Sequence, residues 1–284
     1  MNSVDESVSK EQEELRDLLI GNYSDSKFLI FLDFLPAIKI RGNHSWNNSL
    51  RLKTKAITHL SNELKTQYQL AVKEKVDNEN SNSYYGIESE VLLIKFETLL
   101  NSVYSLCDNL AFLDHKLHLG LKSGFNYQRN NIEKYRVNYP KFSDYLDLIG
   151  SAKWYENLHT MRTESTHYLP GFVFHSSGGL GILYKNMVHS NEEIKIENIN
   201  DYANDLISEV QAFLEKYGDY HLRKFLKDSD KAIFMCGIPH PSGKGLLVAL
   251  REVTLDEYLR KMPGTCISSD VPCPDRNFCP ANKG

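Results

Sequence analysis

No stretch of the 284-residue sequence approaches the roughly 18 consecutive apolar residues that a membrane-spanning helix needs. The opening residues, MNSVDESVSKEQEELRDLL, lack the basic start and apolar core of a secretion signal, so a cytoplasmic protein with no membrane partner is expected. Cysteine is scarce. Five residues, an odd number with no C-x2-C pair, argue against a disulfide framework and for reduced thiols. Positive charge is also in deficit: a formal net charge of -4 excludes a surface coated in positive potential for nonspecific nucleic-acid binding, although a local basic patch stays open. The glycines of GGLG, at 178–181, are not followed by the Lys-Ser/Thr of a phosphate-binding loop and lack its strand-to-helix setting. No internal repeat is present, and neither a metal nor a cofactor is expected.

What is there is the composition of an ordinary globular protein, 41% hydrophobic and 25% charged, long enough to bury a sizeable core. One large domain with an appendage and two domains both fit. The acidic residues 5–17 read as a solvated arm or a short helix. Residues 28–40, FLIFLDFLPAIKI, are a buried segment that reads as strand or helix, with Pro36 interrupting it.

Long amphipathic helices follow. In 49–76, Ala56, Ile57, Leu60, Leu64, Tyr68, Ala71 and Val72 recur at intervals of three and four. A polar loop at 77–83, DNENSNS, leads to a second helix over 87–119. A third spans 143–168, with Gly150 and Ser151 bending it or breaking it in two. A fourth spans 201–227. Four such helices most simply pack as a bundle. Residues 171–188, two apolar arms about Ser-Ser-Gly-Gly, predict a β-hairpin. After Asp230 come two strand-like runs, then a short helix opened by Thr254 with Glu257 three residues on, the spacing of a capping box.

The segment with most chemistry is WYENLHTMRTESTHYLPG, residues 154–171. Arg162 precedes His167 near the end of a helix that the residue ahead of Pro170 brings to a stop. Residues five apart on an ideal helix point about 140° apart, so the pair converges only if the last turn loosens, or if each points into a groove completed by a second subunit. A histidine within reach of a ribose 2′-hydroxyl can act as general base and turn that oxygen onto the neighbouring phosphorus without a metal ion. An arginine can grip the phosphate oxygens in bidentate fashion and neutralise charge developing on them. RNA would be cut and DNA spared.

LHTMRTESTHYLPG, near a helix end in a chain of long helices, resembles the signature of the HEPN superfamily, whose members carry R-x(4 to 6)-H at such a place. The resemblance covers roughly residues 28–227, with only the motif region specific. It implies a bundle of four to five helices; with the hairpin and C-terminal runs read above, the expected fold is mainly α, a HEPN-like bundle of four to five long helices with a β-hairpin insertion after the motif helix and a small α+β C-terminal appendage. The resemblance also implies a homodimer with two motifs facing each other, and a metal-independent endoribonuclease of toxin or antiphage systems, with an antitoxin or regulatory protein as a partner. By it, Arg162 matches the family arginine and His167 the family histidine. Active members usually carry a strongly polar residue after the arginine; here Thr163 stands there, assisting by its hydroxyl. That departure supports an alternative, a non-catalytic helical interaction or regulatory module binding RNA, nucleotide or a protein partner.

Other residues bear on the same question. The stretch 115–141 carries six cations, including Lys122, Arg129, Lys134, Arg136 and Lys141, against the single acid Glu133. Phe125, Tyr127, Tyr135 and Tyr139 are interleaved. Cations for phosphates and rings for bases suit single-stranded RNA, while a solvated loop with anchoring aromatics explains the composition equally well. His159 joins the site or packs a helix face. Glu164 orients Arg162 or is simply exposed. Cys266, Cys273 and Cys279 lie in a proline-rich tail, with Cys236 and His240 upstream. Free thiols are the expectation there rather than zinc. The expected organisation is an acidic arm over 1–26, a helical domain over 27–228 and an appendage over 229–284.

Overall fold

The computed structural model describes residues 24–38, 43–78, 86–118, 120–167, 170–185, 193–239 and 246–267. Its described residues are mainly helical, with two small antiparallel sheets, in accord with the mainly α expectation. None of the described helices is long and apolar enough to cross a membrane. The chain divides into two compact units. One is Asn48–Lys216; the other joins the described residues up to Asn47 with those from Tyr217 on. The cuts thus fall at 47/48 and 216/217, where the sequence points to 26/27 and 228/229.

In the unit Asn48–Lys216, most of α2 (Asn43–Asn78) and all of α3 (Ile87–Leu117) form an antiparallel pair. Leu50, Ile57, Leu64 and Ala71 of α2 are buried at seven-residue intervals, which keeps one stripe on the partner. The facing side of α3 buries Leu92, Phe96, Leu99, Val103, Leu106 and Leu110. Polar side chains fix the antiparallel register along the seam: Lys53 Nζ donates to Ser105 Oγ at 2.6 Å, Lys95 pairs with Glu63 at 3.1 Å, and Gln67 Nε2 donates to the Glu88 carboxylate at 2.6 Å. The helix α2 runs on through Asn78, and the remainder of the predicted polar loop lies outside the described residues.

Shorter helices follow: α4 (Phe125–Asn130), α5 (Ile132–Asn138), a 3-10 turn at Pro140–Phe142, α6 (Ser143–Gly150) and α7 (Trp154–His167). The stretch 115–141 is therefore largely helical rather than a loop. Gly150 ends α6 and so breaks the expected helix 143–168 in two. Phe213 of α8 (Ile199–Phe225) packs edge-on against Phe125 and Trp154, which joins α8 to α4 and α7.

The predicted hairpin is present as β1 (Phe172–Ser176) and β2 (Gly179–Lys185), turning at Ser177 and Gly178. Gly179 adopts φ 128°, a left-handed conformation that costs a side chain dearly. A third strand, β3 (Glu193–Ile196), extends the sheet in the order β1-β2-β3, with Ile182 opposite Ile196. The sheet is held to α2 by the Leu180 N–H, which donates to the Tyr68 hydroxyl at 3.1 Å.

In the other unit, the segment left open between strand and helix is α1 (Lys27–Phe34). Ser26 caps it by accepting from the Leu29 N–H, and Pro36 falls at the start of a 3-10 turn, where its missing N–H is not needed. Phe28 and Phe31 lie edge-on to Tyr217 of α8. The strands β4 (Lys231–Pro239) and β5 (Leu246–Thr254) pair along nine residues, and β6 (Thr265–Cys266) adds to β5. The helix α9 (Leu255–Leu259) opens with the predicted capping box: the Thr254 side chain accepts from the Glu257 N–H and the Glu257 carboxylate from the Thr254 N–H. Tyr258 of α9 packs on Phe34 and donates to Asp33 at 2.7 Å. Most of the acidic arm, together with His240, Cys273 and Cys279, lies outside the described residues; Cys266 is a half-buried free thiol.

Candidate functional site

The helix α7 packs along α3, and that contact places the motif. Its buried face carries Tyr155, Leu158, Met161 and Glu164. Arg162 is half-buried beside this face, and its guanidinium carbon sits 4.6 Å from the centroid of the Tyr104 ring on α3, a cation–π contact. Tyr104 in turn stacks on Tyr155, with centroids 5.9 Å apart and planes 20° from parallel. Arg129 of α4 lies over the Tyr155 ring at 5.5 Å. The rings and cations thus form a continuous series from Arg129 through Tyr155 and Tyr104 to Arg162. His159, one turn before Arg162, lies 5.9 Å from Tyr104 and 6.0 Å from Tyr155, so it packs the same aromatic group.

The two arginines of this series differ in charge balance. Arg129 donates to the Glu156 carboxylate at 3.0 Å and is neutralised by it. Elsewhere Arg136 pairs with Glu133 and Asp147, Arg223 with Asp219, and Arg260 with Asp256. Among the described residues the Arg162 guanidinium makes neither an ion pair nor a hydrogen bond. Its Nε is buried without a partner, and the Nη end of the fork is the part left open. A guanidinium fixed on a ring and short of an anion is suited to a phosphate or carboxylate.

Thr163 is half-buried and His167 is exposed at the last residue of α7. The helix does not loosen before His167. Arg162 and His167 therefore leave it about 140° apart, on different sides of α7 within one chain. Glu164 is not the exposed residue that a helical glutamate usually is: it is 1% exposed, on the core side of α7.

Just beyond α7 the chain is tied to α3. The Gly171 N–H donates to Glu97 Oε1 at 3.1 Å, and the Tyr184 hydroxyl of β2 donates to the same oxygen at 3.3 Å. Burial, and then the Glu97 charge beside it, push the Tyr184 phenol well above its ordinary value. Burial does the same to Tyr155 and to the Cys107 thiol, so neither supplies an ionised group to the site.

The basic stretch divides. Lys122, Lys134 and Lys141 are exposed, with Lys141 lying over the Phe142 ring at 5.0 Å, while Arg129 and Arg136 are held by carboxylates. Phe125 and Tyr135 are core residues and Tyr139 stacks on Phe142. Only Tyr127, at 46% exposure, is an open ring among the four interleaved aromatics. Sequence reasoning missed Tyr104, Tyr155 and Glu97. Their one signal was that Glu97 and Tyr104 lie seven apart, on a single face of α3.

The chain matches no family model, no curated protein and no solved structure.

Proposed function

We propose that the protein is a HEPN-like, metal-independent endoribonuclease that acts as a homodimer. In this reading Arg162 binds the scissile phosphate of RNA. His167 takes the proton from the 2′-hydroxyl, the 2′-oxygen bonds to phosphorus, the bond to the 5′-oxygen breaks, and the imidazolium returns a proton to that leaving oxygen. The products are a 2′,3′-cyclic phosphate and a 5′-hydroxyl end. Thr163 assists by hydrogen bonding. The observation that carries the reading is the Arg162 guanidinium, fixed on Tyr104 with no anion beside it among the described residues. Because His167 faces another side of the same helix, the second motif of a dimer is what completes the site. A role in toxin or antiphage defence, with an antitoxin or regulator as partner, belongs to the same proposal.

A second reading is a non-catalytic module that uses Arg162 to hold RNA, nucleotide or a protein partner. The separation of Arg162 from His167 around α7 and the threonine at 163 favour it. Incubating the purified protein with varied RNAs in EDTA, beside Arg162→Ala and His167→Ala, tests both. Cleavage lost in each variant supports the ribonuclease. Cleavage that survives both removes the site, and RNA binding without any cleavage by the wild type selects the module.

A further inference from the structure

We propose that Tyr104 and Glu97 are positioning residues for the Arg162–His167 site, one for each end of the motif. The inference rests on the ribonuclease reading and names the parts that hold its groups in place. Neither residue touches the reacting atoms.

Residues seven apart on a helix lie about two turns apart on nearly the same face, so Glu97 and Tyr104 present one line of contacts toward α7 and the chain that follows it. At one end Tyr104 lies under the Arg162 guanidinium, 4.6 Å from ring centroid to Cζ. An arginine side chain has several rotatable bonds and is costly to order when it binds a ligand. The ring removes much of that cost in advance. The Arg162 Nε is buried with no hydrogen-bond partner among the described residues, so the ring contact is what holds the guanidinium. At the other end the Glu97 carboxylate accepts from the Gly171 N–H, four residues beyond His167, and from the Tyr184 hydroxyl. It thereby ties both Gly171 and the strand β2 to one point on α3. His167 is the last residue of α7 and lies four residues before this anchor, so the anchor limits how far the end of α7 can move from it. Small displacements of a catalytic group cost large factors in rate, whereas overall stability responds to them weakly.

Paired substitutions separate positioning from mere support of the fold. Tyr104→Phe keeps the ring; Tyr104→Leu removes it at similar bulk. Glu97→Gln keeps a carbonyl oxygen to accept from Gly171; Glu97→Ala does not. Each variant is measured for melting temperature, for kcat and KM on an RNA oligonucleotide, and for Kd toward the uncleavable 2′-deoxy oligonucleotide. The Arg162 Nε–Hε resonance is recorded alongside. Tyr104→Leu is expected to raise KM and Kd by roughly two- to thirtyfold, the range of a cation–π contact. It should also move the Arg162 resonance out of its ring-shifted position, while Tyr104→Phe leaves all three near the wild type. Glu97→Ala is expected to lower kcat about tenfold or more with little change in Kd, and Glu97→Gln to restore most of it.

Leucine and phenylalanine variants that behave alike in Kd and in the Arg162 resonance would overturn the role of Tyr104. Equal kcat in the alanine and glutamine variants would overturn that of Glu97. A wild type that binds the deoxy oligonucleotide but cuts no RNA refutes the ribonuclease reading and the role of Glu97, while the Tyr104 comparison still reads out in Kd. A wild type that does neither refutes both proposals.

Discussion

If the site is completed across a dimer, two inactive variants should repair each other. Arg162 and His167 leave α7 about 140° apart and about 7.5 Å apart along its axis, so neither chain alone presents both groups to one phosphate. Arg162→Ala removes the charge held on Tyr104 and is expected to lower kcat by about 10²–10³, as loss of a fixed transition-state donor does. His167→Ala removes the acid/base and costs about 10²–10⁴. In a mixed dimer of the two variants, one site has lost both groups and the other has kept both. Random reassortment of equal amounts gives half mixed dimers, each with one working site of two, so the mixture should recover about a quarter of wild-type activity. The assay is the initial rate of 2′,3′-cyclic-phosphate formation in EDTA, after co-refolding the variants and counting mixed dimers by differential tags. Mixed dimers that form in the expected proportion and recover nothing would refute a site shared between chains.

Other expectations concern the frame that holds the site. The Tyr145 hydroxyl is fully buried 2.7 Å from Asp114 Oδ2 and beside Gln128 Oε1, so Tyr145→Phe should cost about 1–3 kcal/mol and lower the denaturation midpoint; an unchanged midpoint would contradict the network. Leu99→Ala, on the buried face of α3, should cost about 2–5 kcal/mol, and Ile94→Ala, on its exposed face, should fall within about 0.5 kcal/mol of wild type by chemical denaturation. In the capping box, the Thr254 N–H and then its hydroxyl hold the Glu257 carboxyl below its ordinary value of 4.5. A pKa depressed by folding contributes stability that is present above the ordinary value and is lost as pH falls through the folded one. Thr254→Ala should therefore weaken α9 by about 1 kcal/mol. Glu257→Gln should remove the acid loss that hydrogen exchange detects at the Thr254 amide of the wild type, and an acid limb unchanged by it would refute the assignment.

Much of the fold was legible because its long elements carry their own periodicity. In α2 and α3 the apolar spacing of three and four residues has one solution, a helix with a buried stripe. The capping box at Thr254 is a local arrangement that needs no tertiary context. The failures were short or shared. At four residues, β3 (EIKI) has only Ile194 and Ile196 to signal alternation, and its strand exists because β2 offers it an edge. The helices α4 and α5, of six and seven residues, are too brief for a period, and their composition of Asn, Tyr, Lys and Arg reads as loop. Residues 28–40 are apolar on every side, so period could not separate strand from helix. The cap supplied by Ser26 decides it.

The site was legible only in its chemistry. Six cations against one acid over 115–141 suggested a binding surface, yet charge counted along the chain ignores partners that arrive from other elements. Glu156 on α7 neutralises Arg129, and Asp147 on α6 joins Glu133 on Arg136. Four exposed lysines remain, Lys116, Lys122, Lys134 and Lys141, with Lys116 over the Phe112 ring and Lys141 over the Phe142 ring. Arg162 is the opposite case. The R-x4-H spacing singles it out in the sequence, but nothing there shows that it stands without a carboxylate among the described residues while Arg129 has one. What separates them is that Tyr104 supplies a surface to lie on without supplying a charge, so Arg162 is ordered and still electrostatically unspent. An arginine held by a carboxylate must give up that partner to bind a phosphate; one held by a ring need not. If the proposed RNA site is at Arg162, mutation of the four lysines should weaken RNA binding mainly at low salt, whereas mutation of Arg162 should weaken it at a specific phosphate.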